Sequence, residues 1–381
     1  MGHFAEYALQ RLNEKKNLQQ LRSLKIFPTQ SEGFVDFSSN DYLGFATSPD
    51  LIEKFKKSIE GLSQLGSTGS RLLSGHHQIH EELEKKLSHI FKSEDALFFS
   101  SGHQLNMGLI NSLGHDNSVI LLDELCHNSL RLGVKLSKAP SFLFRHNDLI
   151  HLRERLQTQQ EKKCFIVVES VYSMDGDLCP LQEICDLAEE FNAEIILDEA
   201  HASGVLGTGE NLGLGLACEL GLENKILARV VTLGKAFGAE GAFVLGSVNL
   251  KNFLVNFCPT FIYTTGPSFP MIKLASVVMD NFVMTKMSLK NPITKLHENI
   301  HFFNLINKTN FHTPIIPFKT KNTLSTIKLS DAINSQGFKV FPIFPPTVKK
   351  GEERIRIIIH AFNTFEEIKK LSEILMSESW R

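Results

Sequence analysis

The chain has 381 residues and a formal charge of −2, and its 42% apolar content is that of a globular protein long enough for one large domain and a smaller one. So even a charge balance offers no basic footprint for nucleic acid, and no stretch approaches the roughly 20 apolar residues that span a bilayer. Residues 1–20 are polar and lack an apolar signal core, so a cytoplasmic location with no membrane partner is expected.

Residues 1–27 read as an amphipathic helical arm ending near Pro28, in which Ala5, Leu9, Leu12, Leu18 and Leu21 can share a face, with Arg22 and Lys25 at its end. Val35-Asp36-Phe37 alternates as a short strand does before a turn at Asn40-Asp41, and a helix is expected over 49–62. The glycine-rich loop from Gly66 to Gly75 lacks the GxxxxGK(S/T) spacing of a P-loop. His76, His77 and His80 follow it, but no carboxylate completes a ligand spacing, so no metal is expected. A helix over 79–91 carries Leu83, Leu87 and Ile90 on its core face.

From there strands and helices alternate, which predicts an α/β fold with a largely parallel sheet and helices on both faces. Strand 96–99 runs through Ser100-Ser101-Gly102-His103 into a helix containing Asn106 and Leu109. Small residues at a helix N-terminus suit a phosphate, because free backbone N–H groups and the helix dipole point at it. Strand 119–122 leads to Asp123 and His127. Strand 165–169 ends at Glu169, before Tyr172 and Ser173. A helix over 181–191 precedes strand 193–197, which runs into Asp198-Glu199-Ala200-His201. The loop 207–213 has GxGxxxG spacing and does not join the first strand to the first helix, so it is not read as a dinucleotide site.

Beyond Pro270 a long helical region is expected, then a joining stretch over 291–313. A separate C-terminal unit follows: strand 313–318, helix 323–335, strands 339–343 and 355–360, and helix 364–376. The domains expected are a helical arm and short strand (1–45), a large cofactor-binding domain (46–285) and a small C-terminal domain (286–381). Six scattered cysteines form no CxxC pair and lie largely in apolar runs, which favours reduced, buried thiols over a zinc site.

One stretch organises the rest. In Val230-Val231-Thr232-Leu233-Gly234-Lys235 a β-branched run stops at a glycine and a lysine follows, before a second strand from Gly241 to Ser247. Such a lysine stands at the mouth of an α/β sheet, where desolvation frees its amine for Schiff-base chemistry with a carbonyl. A surface lysine at a turn is the other reading, and the stretch alone leaves both open. Other strand ends carry His127, Glu169, Ser173, Asp198, His201 and Thr232. Together they meet the needs of pyridoxal 5′-phosphate. Lys235 offers an amine for its aldehyde, Asp198 a carboxylate for its pyridine nitrogen, and His127 a flat ring to stack on it. His201 and Ser173 offer donors for its phenolic oxygen. The Gly102-His103 N–H groups and the Thr232 hydroxyl would hold its phosphate.

The same residues resemble a known family, the α-oxoamine synthases among the fold-type I pyridoxal-phosphate enzymes. The likeness covers nearly the whole chain. It runs through Ser39-Asn40-Asp41-Tyr42-Leu43-Gly44, Gly69-Ser70-Arg71, Ser101-Gly102, Asp123-Glu124, His127, Glu169 to Asp177, Asp198-Glu199-Ala200-His201, Thr232-Leu233-Gly234-Lys235, Tyr263-Thr264-Thr265, Pro345-Pro346-Thr347-Val348 and Arg354-Ile355-Arg356. It implies that Lys235 binds the cofactor aldehyde and removes the substrate α-proton, and that Asp198, His127, His201, Ser173 and Thr232 take the roles above. Ser101, Gly102, His103 and Glu169 join the cofactor-binding set, with Thr264 or Thr265 reaching in from the partner of a homodimer whose site lies at the interface. Arg356 would clamp the amino acid carboxylate, a bidentate task suited to arginine. Asn40, Arg71 and Thr347 would line the substrate side, and Arg22 the acyl-chain entrance.

The reaction implied is the decarboxylative condensation of L-alanine with an acyl thioester, pimeloyl-CoA or pimeloyl-ACP, as in biotin synthesis. The alternatives are glycine C-acetyltransferase or serine palmitoyltransferase-like chemistry, an aminotransferase, and a non-catalytic binding protein of the same fold. His103 stands where an aromatic is usual, Phe362-Asn363 ends the last strand motif differently, and Glu210-Asn211 replaces a common arginine.

Overall fold

A computed structural model describes residues 2–18, 20, 21, 24, 26, 33–288 and 290–377. The chain enters through a two-residue strand, β1 (Val35–Asp36). It then lays down β2 (Asp95–Phe99), β3 (Ser118–Asp123), β4 (Ser141–Phe144), β5 (Lys163–Glu169), β6 (Glu194–Asp198), β7 (Ala228–Thr232) and β8 (Ala242–Gly246). The last seven form one sheet in the order β2-β8-β7-β6-β5-β3-β4. Only β8 runs against its neighbours; every other pair is parallel.

Helices cover both faces, which is why these strands are nearly continuous apolar runs. The pleat sorts alternate residues to two cores. Ala96, Phe98, Val231, Phe243 and Leu245 face one; Leu97, Phe99, Val230, Ala242 and Val244 face the other. This is a fold-type I pyridoxal-phosphate transferase architecture.

A second, antiparallel sheet of order β11-β12-β9 is built from β9 (Ile315–Lys319), β11 (Phe341–Ile343) and β12 (Arg354–Ile358), while β10 (Phe338–Lys339) pairs in parallel with β1. The N-terminal segment thus docks on the C-terminal strands: Ile358 N–H donates to Phe37 O at 2.8 Å, and Ala361 N–H to Tyr42 O at 2.8 Å. That docking brings the turn after β1, with Asn40 and Tyr42, to the strand that carries Arg356.

Three departures from the sequence reading have plain causes. The stretch 291–313 holds a helix, Pro292–Asn307. Asn291 caps it by accepting the Ile293 N–H at 2.8 Å, proline occupies its first turn, and Ile293, Leu296, Ile300 and Phe303 bury one side. The helices Asn128–Leu136 and Leu149–Gln157, with the edge strand β4 between them, were not marked by any long apolar period. The N-terminal helix is His3–Asn17, and none of its residues is buried. Its expected apolar face therefore lies open in a single chain. Among the described residues no helix is long and apolar enough to cross a membrane.

Candidate active site

Five strands of the main sheet end at one edge: β2 at Phe99, β3 at Asp123, β5 at Glu169, β6 at Asp198 and β7 at Thr232. β2 and β7 are both antiparallel to β8 between them, so all five point the same way. The turns that follow gather in the crevice beyond the carboxyl ends, where open α/β sheets hold their ligands. Lys235 lies on the crossing from β7 to β8.

Lys235 is partly buried, and burial pushes its amine below the usual lysine range against the opposing pull of Asp198 and Glu169. The Asp198 carboxylate accepts from Asn106 Nδ2 at 2.7 Å and from the Ala200 N–H at 2.9 Å. Beside it Glu169 is buried, and burial together with the Asp198 charge pushes its carboxyl up to about 8. A Glu169 oxygen accepts the backbone N–H of His127 and so ties the β3 turn to the end of β5. His127 caps the helix Asn128–Leu136, its Nδ1 accepting the Ser129 N–H at 3.2 Å. Burial keeps its ring below the usual histidine range, with Lys235 adding to the effect.

On the opposite wall His201 is buried and held well below the usual range by burial, then by Lys235 and Arg356. Its Nδ1 lies 2.6 Å from the hydroxyl of Tyr42, which also reaches Asn40 Oδ1 at 3.3 Å. Burial pushes the Tyr42 phenol up to about 12, so it stays an O–H donor at neutral pH. Arg356 donates from Nη1 to Asn40 Oδ1 at 3.0 Å and from Nε to the Ser173 carbonyl at 2.6 Å.

An anion cradle adjoins these groups. Ser101 caps the helix Gly102–Leu113, its Oγ accepting the Gln104 N–H at 3.2 Å. A Cβ on Gly102 would stand 3.6 Å from Thr232 Oγ1, so the helix start abuts that hydroxyl. Thr232 Oγ1 also accepts the Gly234 N–H at 3.4 Å. A helix N-terminus and a hydroxyl converge on one spot.

The family model for aminotransferase class I and II matches residues 32–375. The chain belongs to this family. Within it lies the α-oxoamine synthase group, and the curated and solved relatives fall there. An 8-amino-7-oxononanoate synthase of Lysinibacillus sphaericus is 38% identical over 362 residues, 91% of each chain. The crystal structure of 8-amino-7-oxononanoate synthase from Francisella tularensis superposes with a TM-score of 0.76 at 26% identity, covering 91% of this chain and 98% of that one. A structure of SPT with its PLP internal aldimine gives a TM-score of 0.83 at 26% identity over 90% of this chain and 86% of that one. The family cofactor, pyridoxal 5′-phosphate, is also the cofactor of this chain. The donor set fits it: an amine, a carboxylate and an imidazole surround one crevice, and the cradle at Gly102 and Thr232 is placed for a phosphate.

Not every residue marked in the sequence joins this cluster. Arg71 is buried in a network of its own, paired with Glu84 at 2.5 Å, donating to His76 Nδ1 and lying over the Phe261 ring. His76, 5.6 Å ring to ring from His80, spends its other nitrogen on Glu81 at 2.8 Å. Among the described residues no group of three or more histidine, cysteine or acidic side chains is arranged to hold a metal. His103 is exposed and stands edge-on to His127, ring centres 6.5 Å apart. Thr265 is exposed and Thr264 half-buried on the turn after the short helix Pro259–Ile262, and Thr347 is exposed. Arg22 lies outside the described residues. Of the departures from the family pattern, Asn363 is buried and structural, its Oδ1 accepting the His360 N–H at 2.8 Å.

Four residues have a part in the site to which the sequence assigns no role: Tyr42, Asn106, Ser129 and His146. The last braces the site from behind. Its Nδ1 lies 3.1 Å from both oxygens of Asp123, where the His127 turn begins, and its Nε2 lies 2.7 Å from Asp177, after Ser173. These two carboxylates, against the cost of burial, raise His146 to about 10. A raised histidine stabilises the fold fully below its unfolded value of about 6.5 and loses that contribution as pH climbs toward the folded value. His146→Gln is expected to cost about 2 kcal/mol near pH 6, a figure discounted because Asp177 is partly exposed. Urea unfolding should show the gap from the parent protein narrowing toward pH 10; an equal gap at both pH values would contradict the brace.

Proposed function

We propose that the chain is a pyridoxal-phosphate-dependent acyltransferase that condenses L-alanine with a pimeloyl thioester, releasing the thiol and carbon dioxide and yielding 8-amino-7-oxononanoate. The observation that carries this reading is a partly buried lysine pulled by two carboxylates, facing a buried arginine across one crevice, in a chain whose curated relatives bear that activity's name. When bound, the cofactor supplies an electron sink for negative charge on the amino acid α-carbon.

The chain's own groups do the rest. Lys235, its amine pushed down by burial, is a nucleophile for an aldehyde and then a base for the α-proton. Asp198, oriented by Asn106 and the Ala200 N–H, presents a carboxylate to a ring nitrogen. His127 supplies a flat face, and neutral His201, fixed by Tyr42, supplies a polar contact for an oxygen on the ring. The Gly102 helix start and Thr232 receive the phosphate. Arg356, held by Asn40 and the Ser173 carbonyl through two of its five N–H donors, offers others to the substrate carboxylate.

Arg356→Ala is accordingly expected to raise the KM for the amino acid by about 10- to 100-fold, the range for one charged hydrogen bond, with a smaller change in kcat. An unchanged KM would remove Arg356 from the carboxylate site.

The assembly fits a homodimer, with Thr264 and Thr265 offered to the partner's crevice. Its support is the exposure of that turn, with Tyr263 at 84%, and the uncovered apolar residues Phe4, Tyr7 and Leu12 of the N-terminal helix. A cytoplasmic location is supported by six buried, unpaired cysteines.

Substrate choice is tested by feeding alanine, glycine and serine in turn with pimeloyl, acetyl and palmitoyl thioesters and measuring thiol release. Alanine with the pimeloyl donor should turn over fastest. A preference for glycine with acetyl, or serine with palmitoyl, would replace this reading with another acyltransferase of the family. Amino transfer to a keto acid without thiol release would make it an aminotransferase.

A further inference from the structure

His127 and Asp198 sit on different strand ends, yet one directed chain of hydrogen bonds joins them. Asn106 Nδ2 donates one hydrogen to Asp198 Oδ2 at 2.7 Å and the other to Ser129 Oγ at 3.0 Å. Ser129 Oγ lies 2.8 Å from His127 Nδ1, which also accepts the Ser129 backbone N–H at 3.2 Å. All of Asn106, Ser129 and Asp198 are buried, so water does not offer alternatives.

The direction of each bond follows from elementary donor and acceptor counts. A carboxylate only accepts, so it selects the amide edge of Asn106 and rejects the flipped orientation. With both amide hydrogens spent, Asn106 Oδ1 is left without a partner, which is the state observed. Ser129 Oγ, already accepting from the amide, has its single hydrogen free for the imidazole. His127 Nδ1 then receives two donors from one residue, so it carries no proton of its own.

We propose that Asn106 and Ser129 are positioning residues that hold His127 as the neutral, Nε2-protonated imidazole and couple that tautomer to the Asp198 carboxylate. The inference rests on the roles given above to His127 and Asp198, but the tautomer itself is a property of the chain with or without cofactor. Its use is electrostatic. The groups facing the ring are Asp198, Lys235 and His103, and Glu169 takes its backbone N–H. A charged imidazolium there would be a second cation beside the Lys235 amine. A neutral ring stacks without that repulsion and keeps one N–H donor on the edge away from Ser129.

Nitrogen NMR of the full-length protein labelled with 15N-histidine tests this, with the His127 signals assigned by their loss in His127→Asn. The expected result at neutral pH is an unprotonated Nδ1 and a protonated Nε2, in the cofactor-free chain and in the holoenzyme alike. Ser129→Ala removes the hydroxyl donor but keeps the backbone one, and should raise the His127 titration midpoint by about one pH unit. Ser129→Thr should restore it. Asn106→Ala should shift it in the same direction, and the double variant by less than the sum, because the two residues act as one chain.

A protonated Nδ1 in the parent protein, or an unmoved midpoint in Ser129→Ala, would overturn the inference. Additive shifts would reduce Asn106 to a neighbour with no part in the coupling. Should the chain bind no cofactor, the proposed function fails while the tautomer measurement still stands or falls by itself.

Discussion

Replacing Lys235 with alanine is expected to abolish turnover, by at least about 10³-fold, within the range lost with a general base, and to remove the borohydride-sensitive colour of the purified protein. The expectation follows from position and charge. Lys235 occupies a short crossing between β7 and β8, where burial lowers its amine and Asp198 and Glu169 act on it at close range. Lys286, also lowered by burial, stands near Lys92 and not beside these two carboxylates. The variant should keep the parent's far-ultraviolet dichroism, since the crossing is fixed by backbone bonds such as Leu233 N–H to Gly241 O at 2.9 Å. Turnover within tenfold of the parent, in a folded variant, would transfer the chemistry to another group.

Asp198→Asn is expected to lower kcat by on the order of 10²–10³-fold, the cost of removing one preorganised electrostatic partner, while cofactor stays bound. The substitution preserves shape but removes the negative charge at the end of β6. It also unsettles Asn106, which now faces an amide able to present either edge. Because the lost interaction grows as charge develops on the substrate, kcat should fall while the amino acid KM moves little. A rise in KM with kcat unchanged would mean that Asp198 only shapes the pocket.

The parts of this site that the sequence made legible share one property: they end strands. Apolar runs such as Ile195-Ile196-Leu197 and Val230-Val231 stop abruptly at polar residues, and in a sheet with mostly one strand direction such stops must gather at one edge. Asp198, Glu169, Thr232 and Lys235 were therefore readable without knowing the partner of any. Arg356 was marked only by family likeness. The structure supplies the reason it is there: with Arg354 it shares one face of β12, and both reach the 173–175 turn.

What stayed hidden depends on contacts between distant segments. Tyr42 meets His201 across 159 residues, and Asn106 meets Asp198 across 92. Nothing local separates Asn106 from an asparagine facing water; only the packing of its helix on β7 and β8, which brings it within reach of Asp198 at the end of β6, does. Arg71, marked by the family likeness, has a partner hidden for the same reason: Glu84 sits on a helix between the apolar residues Leu83 and Leu87. His146 was invisible because its brace joins two turns that the sequence keeps 54 residues apart, from Asp123 to Asp177.

The central claim is that one amine carries the cofactor. The measurement that reaches it most directly is borohydride reduction of the purified protein, followed by proteolysis and mass spectrometry. A phosphopyridoxyl group on the peptide containing Lys235, and on no other lysine, is the predicted result. The same group on a different lysine, or its absence from a folded protein incubated with pyridoxal phosphate, would contradict the account.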